Sequence, residues 1–448
     1  MLFRSAYQVV PTVVFRGGYG IFYPPSITCC FDAESAGFAS TTISPVTLNT
    51  ISPNPAVTVA NPWPNGFIPI TGNSLGGLQQ VGNSVTSNFR QRGSSYVQQY
   101  LAGVQWSITP NDLLDVNYVG NHGTRMITSD YNQSQVNPQY LPMGTAALNA
   151  LVPNPFYGAI AAGTSSCGLD QPTVVQSQLL QPFPQYCNVT NADAPVGFSL
   201  YNALQANYNH RFSKGLTALV SYTYSKFLDN VEGNNSWSYA ASASPANNYN
   251  LAAEKSVDGS DTPQSLVANY VYQLPIGRGR AVGNHMNRLT DAFAGGWEVS
   301  QIATFKAGLP LSINGSDIAS YGGNPRPDVV GPVHVANESI HEWFNTGAFA
   351  YAPYGTFGTA PRYFSYLRGP GFQNWDTAIM KNWQIKESMR LQFRAELFNT
   401  FNHAQFYTPN TGYTGCDPNA DQGCSSSMGQ ITNAFPSRTV QIAGKFYW

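Results

Sequence analysis

The sequence predicts an all-β fold: an antiparallel transmembrane β-barrel of outer-membrane type, present as a partial barrel of about eleven strands with long extracellular loops. Three observations carry this expectation. Only 10% of the 448 residues are Asp, Glu, Lys or Arg, while 13% are aromatic; an ordinary soluble domain is roughly 25% charged. Apolar and polar residues alternate with period two over stretches of about 9 to 13 residues, as a sheet with two unlike faces requires. The connections alternate between short and long, a sorting by parity that outer-membrane barrels need and soluble sandwiches do not.

Composition removes the competing classes. Gly 41 and Pro 31 argue against long helices, and no three-residue glycine period marks collagen. With Lys+Arg 22 against Asp+Glu 23 and a net charge of -1, there is no basic surface to neutralise phosphates, so nucleic acid is not an expected partner. A 42% hydrophobic content at near-zero charge argues against disorder. No window reaches the roughly 18 apolar residues of a membrane-spanning helix. Residues 1–11 lack a charged leader, continuous apolar core and small-residue cleavage site, so a signal peptide is not expected there. The chain therefore reads as part of something longer.

The first strand is expected over residues 3–8. In the second, Val13, Phe15, Gly17, Tyr19, Ile21 and Tyr23 share one face, opposite Val14, Arg16, Gly18, Gly20 and Phe22. A hairpin follows. Tyr96, Tyr100, Ala102, Val104, Trp106 and Ile108 oppose Gln99, Gly103, Gln105 and Ser107; after the turn sequence Thr109-Pro110-Asn111-Asp112, Leu114, Val116 and Tyr118 oppose Asp115, Asn117 and Asn121. A second hairpin sets Leu204, Ala206, Tyr208 and Phe212 against Gln205, Asn207, Asn209 and Arg211, then turns at Ser213-Lys214-Gly215 into Leu216, Ala218, Val220, Tyr222 and Tyr224.

Leu266, Ala268, Tyr270 and Tyr272 mark the next strand, and Trp297, Val299, Ala303 and Phe305 the one after, opposite Glu298, Ser300, Thr304 and Lys306. Residues 375–384 form a strand whose facing the pattern leaves open. Leu391, Phe393, Ala395 and Leu397 oppose Arg390, Gln392, Arg394 and Glu396, and Val440, Ile442, Phe446 and Trp448 oppose Thr439, Gln441 and Lys445. Such lengths suit a tilted membrane strand of about 9 to 11 residues better than soluble strands of about 5 to 6. The apolar sets carry no charge apart from rim positions such as Lys226 and are expected to touch outer-membrane lipid. Arg16, Glu298, Lys306, Arg390, Arg394 and Glu396 are expected to face the lumen.

Short connections at 9–11, 109–112, 213–215 and 385–387 are assigned to the periplasm. The long ones at 24–95, 123–198, 229–262, 310–374 and 402–436 are assigned outside. Segment 275–295 breaks the parity; its Met286, Leu289 and Phe293 suggest a short amphipathic helix at the periplasmic rim. All six cysteines fall in outer segments. Cys167 with Cys187 and Cys416 with Cys424 are candidate local disulfides suited to an oxidising compartment. Cys29 and Cys30 are left open, as a mutual pair or bonded elsewhere. No CxxC or spaced His supports a metal there, and no cofactor is expected.

The run Val14-Phe15-Arg16-Gly17-Gly18-Tyr19-Gly20-Ile21-Phe22-Tyr23 resembles a barrel strand of TonB-dependent receptors of the Oar-like type, common in Acidobacteria. The blocks Trp343-Phe344-Asn345, Phe349, Gly355-Thr356-Phe357-Gly358, Leu367-Arg368-Gly369-Pro370-Gly371, Asn374-Trp375-Asp376, Lys381-Asn382 and residues 394–403 are similar, in order and spacing, to that family's C-terminal region. The resemblance covers nearly the whole chain, with little of it in 24–95 and 123–198. It implies a barrel of about 22 strands with an N-terminal plug and a TonB-engaging peptide. Neither is visible here, so TonB is expected as a partner only through a plug missing from this chain. The family's ending on an alternating aromatic strand implies that Phe446 and Trp448 anchor the wall and are read by the β-barrel assembly machinery; Trp448 also suits a plain interfacial anchor.

Enzyme signatures are missing. No GxSxG elbow or Walker loop occurs, and His341-Glu342-Trp343-Phe344-Asn345 lacks a second zincin His. Arg390, Arg394 and Glu396 read as a ladder of lumen residues rather than an acid/base group. The expected function is uptake of a large or scarce solute, such as a carbohydrate or peptide, contacted by loops such as 234–239 and 324–328. A passive porin, a surface adhesin, a soluble secreted β-domain and a truncated reading frame are the alternatives.

Overall fold

A computed structural model of the chain describes all residues except 1, 24–36, 39, 41, 43–46, 49–51, 65, 88–92, 129–130, 161, 164, 192–193, 231–244, 314, 316–320, 386–387 and 414–426. Eleven long strands run as β1 (Leu2–Val10), β2 (Val13–Phe22), β3 (Tyr96–Ser107), β4 (Asp112–Thr128), β5 (Ala194–Ser213), β6 (Leu216–Asp229), β7 (Gln264–Gln273), β8 (Trp297–Lys306), β9 (Phe372–Gln384), β10 (Arg390–Phe398) and β11 (Thr439–Tyr447). Each pairs antiparallel with the next in chain order, a pure meander that short turns at one end make possible. The two-residue strand Ser256–Val257 adds to the end of β6. β1 and β11 end the sheet, which among the described residues is not closed.

The tight turns follow from their residues. Thr109 Oγ1 accepts the N–H groups of Asn111 and Asp112 at 3.2 and 3.1 Å, holding the β3–β4 turn. At the β5–β6 turn Gly215 has φ +87°, and a Cβ there would stand 2.8 Å from the Gln273 carbonyl oxygen of β7, so this position needs glycine.

Three features depart from the sequence reading. β4 and β5 are 17 and 20 residues long, and they stay paired up to Thr128 and Ala194, inside the segment read as a loop over 123–198. Beyond the membrane both faces are wet, so alternation fades while the backbone ladder continues. Second, the facing of β9 is now defined: Lys381 lies opposite Trp297, which puts Trp375, Thr377, Ile379, Lys381 and Trp383 on the aromatic face. Third, that face holds ionisable groups besides Lys226: Lys381, Asp112 and His210 at the short-turn end, and His122 toward the other end of β4, opposite Leu200. The first three have partners. Lys381 lies over the rings of Trp297 and Trp383 and donates to the Gly295 carbonyl. Asp112 Oδ1 contacts His210 Nδ1 at 2.6 Å and accepts from the Tyr208 hydroxyl at 2.7 Å.

The apolar packing is inverted relative to a soluble domain. Aromatic-face side chains stay open, with Phe15 50%, Leu204 46% and Ile442 70% exposed. A continuous apolar surface on this scale needs an apolar surrounding. Buried apolar clusters lie instead in the long connections. One gathers Leu311, Ile313, Phe344, Phe349, Phe364 and Leu367; another gathers Ile160, Leu169 and Val174.

Candidate functional site

The polar face can be followed across the sheet by register. Arg16, Gly103, Asn117, Gln205, Thr223, Ser265 and Lys306 are successive cross-strand partners from β2 to β8. Glu298 shares Lys306's side of β8 and lies opposite Met380, which lies opposite Arg394. Arg390 and Glu396 stand at the same parity as Arg394 on β10, and so on its face. All six residues expected to face a lumen therefore share one face. They form a distributed polar lining and not one cluster.

Local bonds hold that lining in place. Arg16 donates to Gln105, and Arg394 Nε donates to Glu396 Oε1 at 2.8 Å. Gln392 donates to Asn382 at 3.0 Å, and the Arg390 guanidinium lies 4.3 Å from the Tyr447 ring centroid. A hollow of about 760 Å³ beside Gly18 and Gly20 is lined by Arg4, Arg16 and Asn121 together with the apolar Phe22, Leu101 and Val119. The face is not uniformly polar. By the same register Leu219, Val267, Val271 and Ile302 belong to it, surrounding Asn269.

The long connections interlock. Three arginines of segment 307–371 meet three carboxylates at the end of β6 or in segment 230–263: Arg326 with Glu254, Arg362 with Asp229, and Arg368 with Asp261. Five of the six side chains are nearly fully buried, and Arg368 is mostly so. Further bonds offset the burial of Glu254, Asp261 and Arg368, whereas Arg362 keeps Nε and Nη1 buried without a hydrogen-bond partner among the described residues and relies on Asp229 for its charge. Glu254 Oε1 accepts from the Ala246 N–H at 3.0 Å, and Arg368 Nη1 donates to the carbonyls of Asp261 and Gly308 at 2.9 and 3.2 Å.

Sequence reading missed these pairs. Charge is so scarce in this chain that three arginines in 307–371 and five acids in 229–263 were the available signal, and nothing local tells which acid pairs with which arginine. Segment 324–328 consequently offers little to a solute: Pro325, Arg326 and Pro327 are buried and Asn324 is exposed. Segment 234–239 lies outside the described residues, as do Cys29, Cys30, Cys416 and Cys424.

Cys167 and Cys187 are joined by a disulfide with Cα atoms 5.6 Å apart. Nearby, Asp170 accepts the Gly163 N–H at 2.5 Å, which holds its carboxyl below the usual range. Burial, with Tyr354 beside it, pushes the Tyr321 phenol up to about 12. His403 joins β9 to the β10–β11 connection, its ring nitrogens 2.7 Å from Gln373 Nε2 and 2.8 Å from Gln405 Nε2. Among the described residues no group of three His, Cys, Asp or Glu side chains is placed to hold a metal ion.

No curated protein sequence matches the chain. Among solved structures it is similar to the outer membrane transporter YddB from Escherichia coli, at 10% identity and TM-score 0.43, over 97% of this chain and 38% of that one. It is also similar to the FrpB iron transporter from Neisseria meningitidis, at 11% identity and TM-score 0.40, over 100% of this chain and 37% of that one. A third is the ferric-catecholate import receptor Fiu from E. coli K12, at 9% identity and TM-score 0.39, over 100% and 34%. The chain thus spans just over a third of the length of these proteins. The model of the outer membrane beta barrel domain matches residues 5–441, nearly the full length. Its sheet is the wall of an outer-membrane protein, and the chain belongs to the outer membrane beta barrel domain family.

Proposed function

We propose that this chain is the C-terminal part of the barrel of a TonB-dependent receptor of the Oar-like type, taking up a large or scarce solute without covalent chemistry. The observation that carries the reading is the partition of one meander into an uncovered aromatic face and a polar face, with arginine-locked loops at one end. Aromatic residues at both ends of the first face suit the two lipid interfaces, as Tyr100 beside Tyr118 and Trp297 beside Phe393 illustrate. The polar face, with Arg16, Glu298, Lys306, Arg390, Arg394 and Glu396, then lines the lumen. Sugar or peptide chemistry fits the Asn- and Tyr-rich outer segments. Phe446 and Trp448 serve as wall anchors and as the signal to the assembly machinery, and TonB acts through a plug.

Strand parity supports the same reading. β1 and β11 run in the same direction, so an all-antiparallel closure requires an odd number of further strands between them. Each unpaired backbone group in hydrocarbon costs roughly 2 to 7 kcal/mol, so a free double-edged sheet is unstable in a bilayer.

Two experiments test this. Expressed alone behind an export signal, the chain should give no heat-modifiable, protease-resistant barrel; obtaining one contradicts the partial-barrel reading. In cells carrying the complete receptor, solute uptake should stop when the proton-motive force is collapsed. Uptake that continues supports a passive pore instead.

A further inference from the structure

The segment between β7 and β8 carries a helix, Arg288–Ala294, capped at its start by the Asn287 side chain, which accepts the Thr290 N–H at 2.8 Å. Its C-terminal carbonyls are satisfied by side chains of the wall. Trp383 Nε1 donates to Ala292 O at 2.7 Å, Trp297 Nε1 donates to Phe293 O at 2.8 Å, and the Lys381 ammonium donates to Gly295 O. A cation and two N–H donors at this end also complement the helix dipole.

All three donors stand on the aromatic face. The helix is therefore fastened to the lipid side of the wall, at the level of the short periplasmic turns. Its Leu289 and Phe293, one turn apart on one side, are 76% and 75% exposed. The surrounding segment 275–296 carries Arg278, Arg280 and Arg288, all exposed, against a single acid, Asp291, whose carboxylate accepts the Arg278 N–H at 2.7 Å.

We infer that segment 275–296 is an interfacial anchor for the periplasm-facing leaflet of the outer membrane, with anionic phospholipid as its partner. Leu289 and Phe293 enter the acyl boundary, continuous with the aromatic face of β8 and β9. Arg278, Arg280 and Arg288 meet lipid phosphates. This is the arrangement that amphipathic helices adopt on a bilayer surface, with basic residues at the headgroups. It rests on the wall facing lipid, and the test separates the two.

The photoreactive residue p-benzoylphenylalanine is placed singly at positions 289, 293, 290 and 204 of the complete receptor in outer membranes. Leu204 samples the aromatic face of β5, and Thr290 the neighbouring side of the helix. Phospholipid adducts are expected at 289 and 293 in a yield within about twofold of position 204, and well below that at 290. The triple variant R278Q/R280Q/R288Q should lower the anionic share of the adducts at 293. Adducts at 204 but none at 289 and 293 overturn the anchor. An unchanged anionic share overturns the phosphate contact. Absence of adducts at 204 as well overturns the anchor together with the lipid-facing wall.

Discussion

The Arg368 guanidinium meets the Asp261 carboxylate at 2.6 Å across 107 positions of sequence, and the other oxygen of Asp261 accepts the Phe227 N–H of β6 at 2.6 Å. One carboxylate thus ties a strand end to two long connections. Asp261→Ala strands a mostly buried guanidinium, and breaking such a pair costs about 3 to 5 kcal/mol. Limited proteolysis of intact cells should show faster cleavage within 307–371 while the strands stay protected. Arg368→Lys keeps the charge but loses the fork and should fall between wild type and Asp261→Ala.

The disulfide between Cys167 and Cys187 closes a loop of sequence separation 20. Removing it by Cys167→Ser with Cys187→Ser should lower the local stability of segment 129–193 by about 3 kcal/mol. Hydrogen exchange of that segment, with and without reductant, measures the change. Strand protection should not move.

Asp170 beside that disulfide has a carboxyl held below its ordinary value by the Gly163 N–H. Its ionised form binds better in the folded loop, so the stabilisation is complete above the unfolded value of about 3.9 and is lost as pH falls through the lower folded value. Proteolysis of segment 129–193 should be flat between pH 8 and 5 and accelerate only in stronger acid. Asp170→Asn should remove that residue's acid-dependent component while weakening the loop at neutral pH.

Lys381 is buried between Trp297 and Trp383 and donates to the Gly295 carbonyl. Lys381→Met keeps the packing and removes a charged hydrogen bond worth about 1.5 to 3 kcal/mol. Faster exchange should appear in residues 288–296. β8 and β9 should keep their protection.

Much of the wall was legible because a sheet with one face in lipid and one in water prints its period directly onto the sequence. Arg16, Glu298, Lys306, Arg390, Arg394 and Glu396 fell on one face for that reason. Residues 375–384 resisted the same reading because Lys381 sits in the aromatic register while Ala378 and Met380 sit in the polar one; the pairing of Lys381 with Trp297 of β8 and Phe393 of β10 decides the side. The loop layer was illegible for a different reason. Arg326 finds Glu254 across 72 positions and Arg362 finds Asp229 across 133, and no local period encodes such pairings. The helix was foreshadowed by Leu289 and Phe293, whereas its attachment through Trp297, Lys381 and Trp383 depends on residues from two strands.

The most direct test of the two-faced wall is a cysteine scan of β7 in outer membranes, from Leu266 to Val271, with one aqueous and one lipid-soluble thiol reagent. Leu266, Ala268 and Tyr270 should react with the lipid-soluble reagent. Val267, Asn269 and Val271 should react with the aqueous one, although two of these three are apolar. Loss of that alternation, or Val267 and Val271 reacting from the lipid phase, would contradict the assignment of the faces.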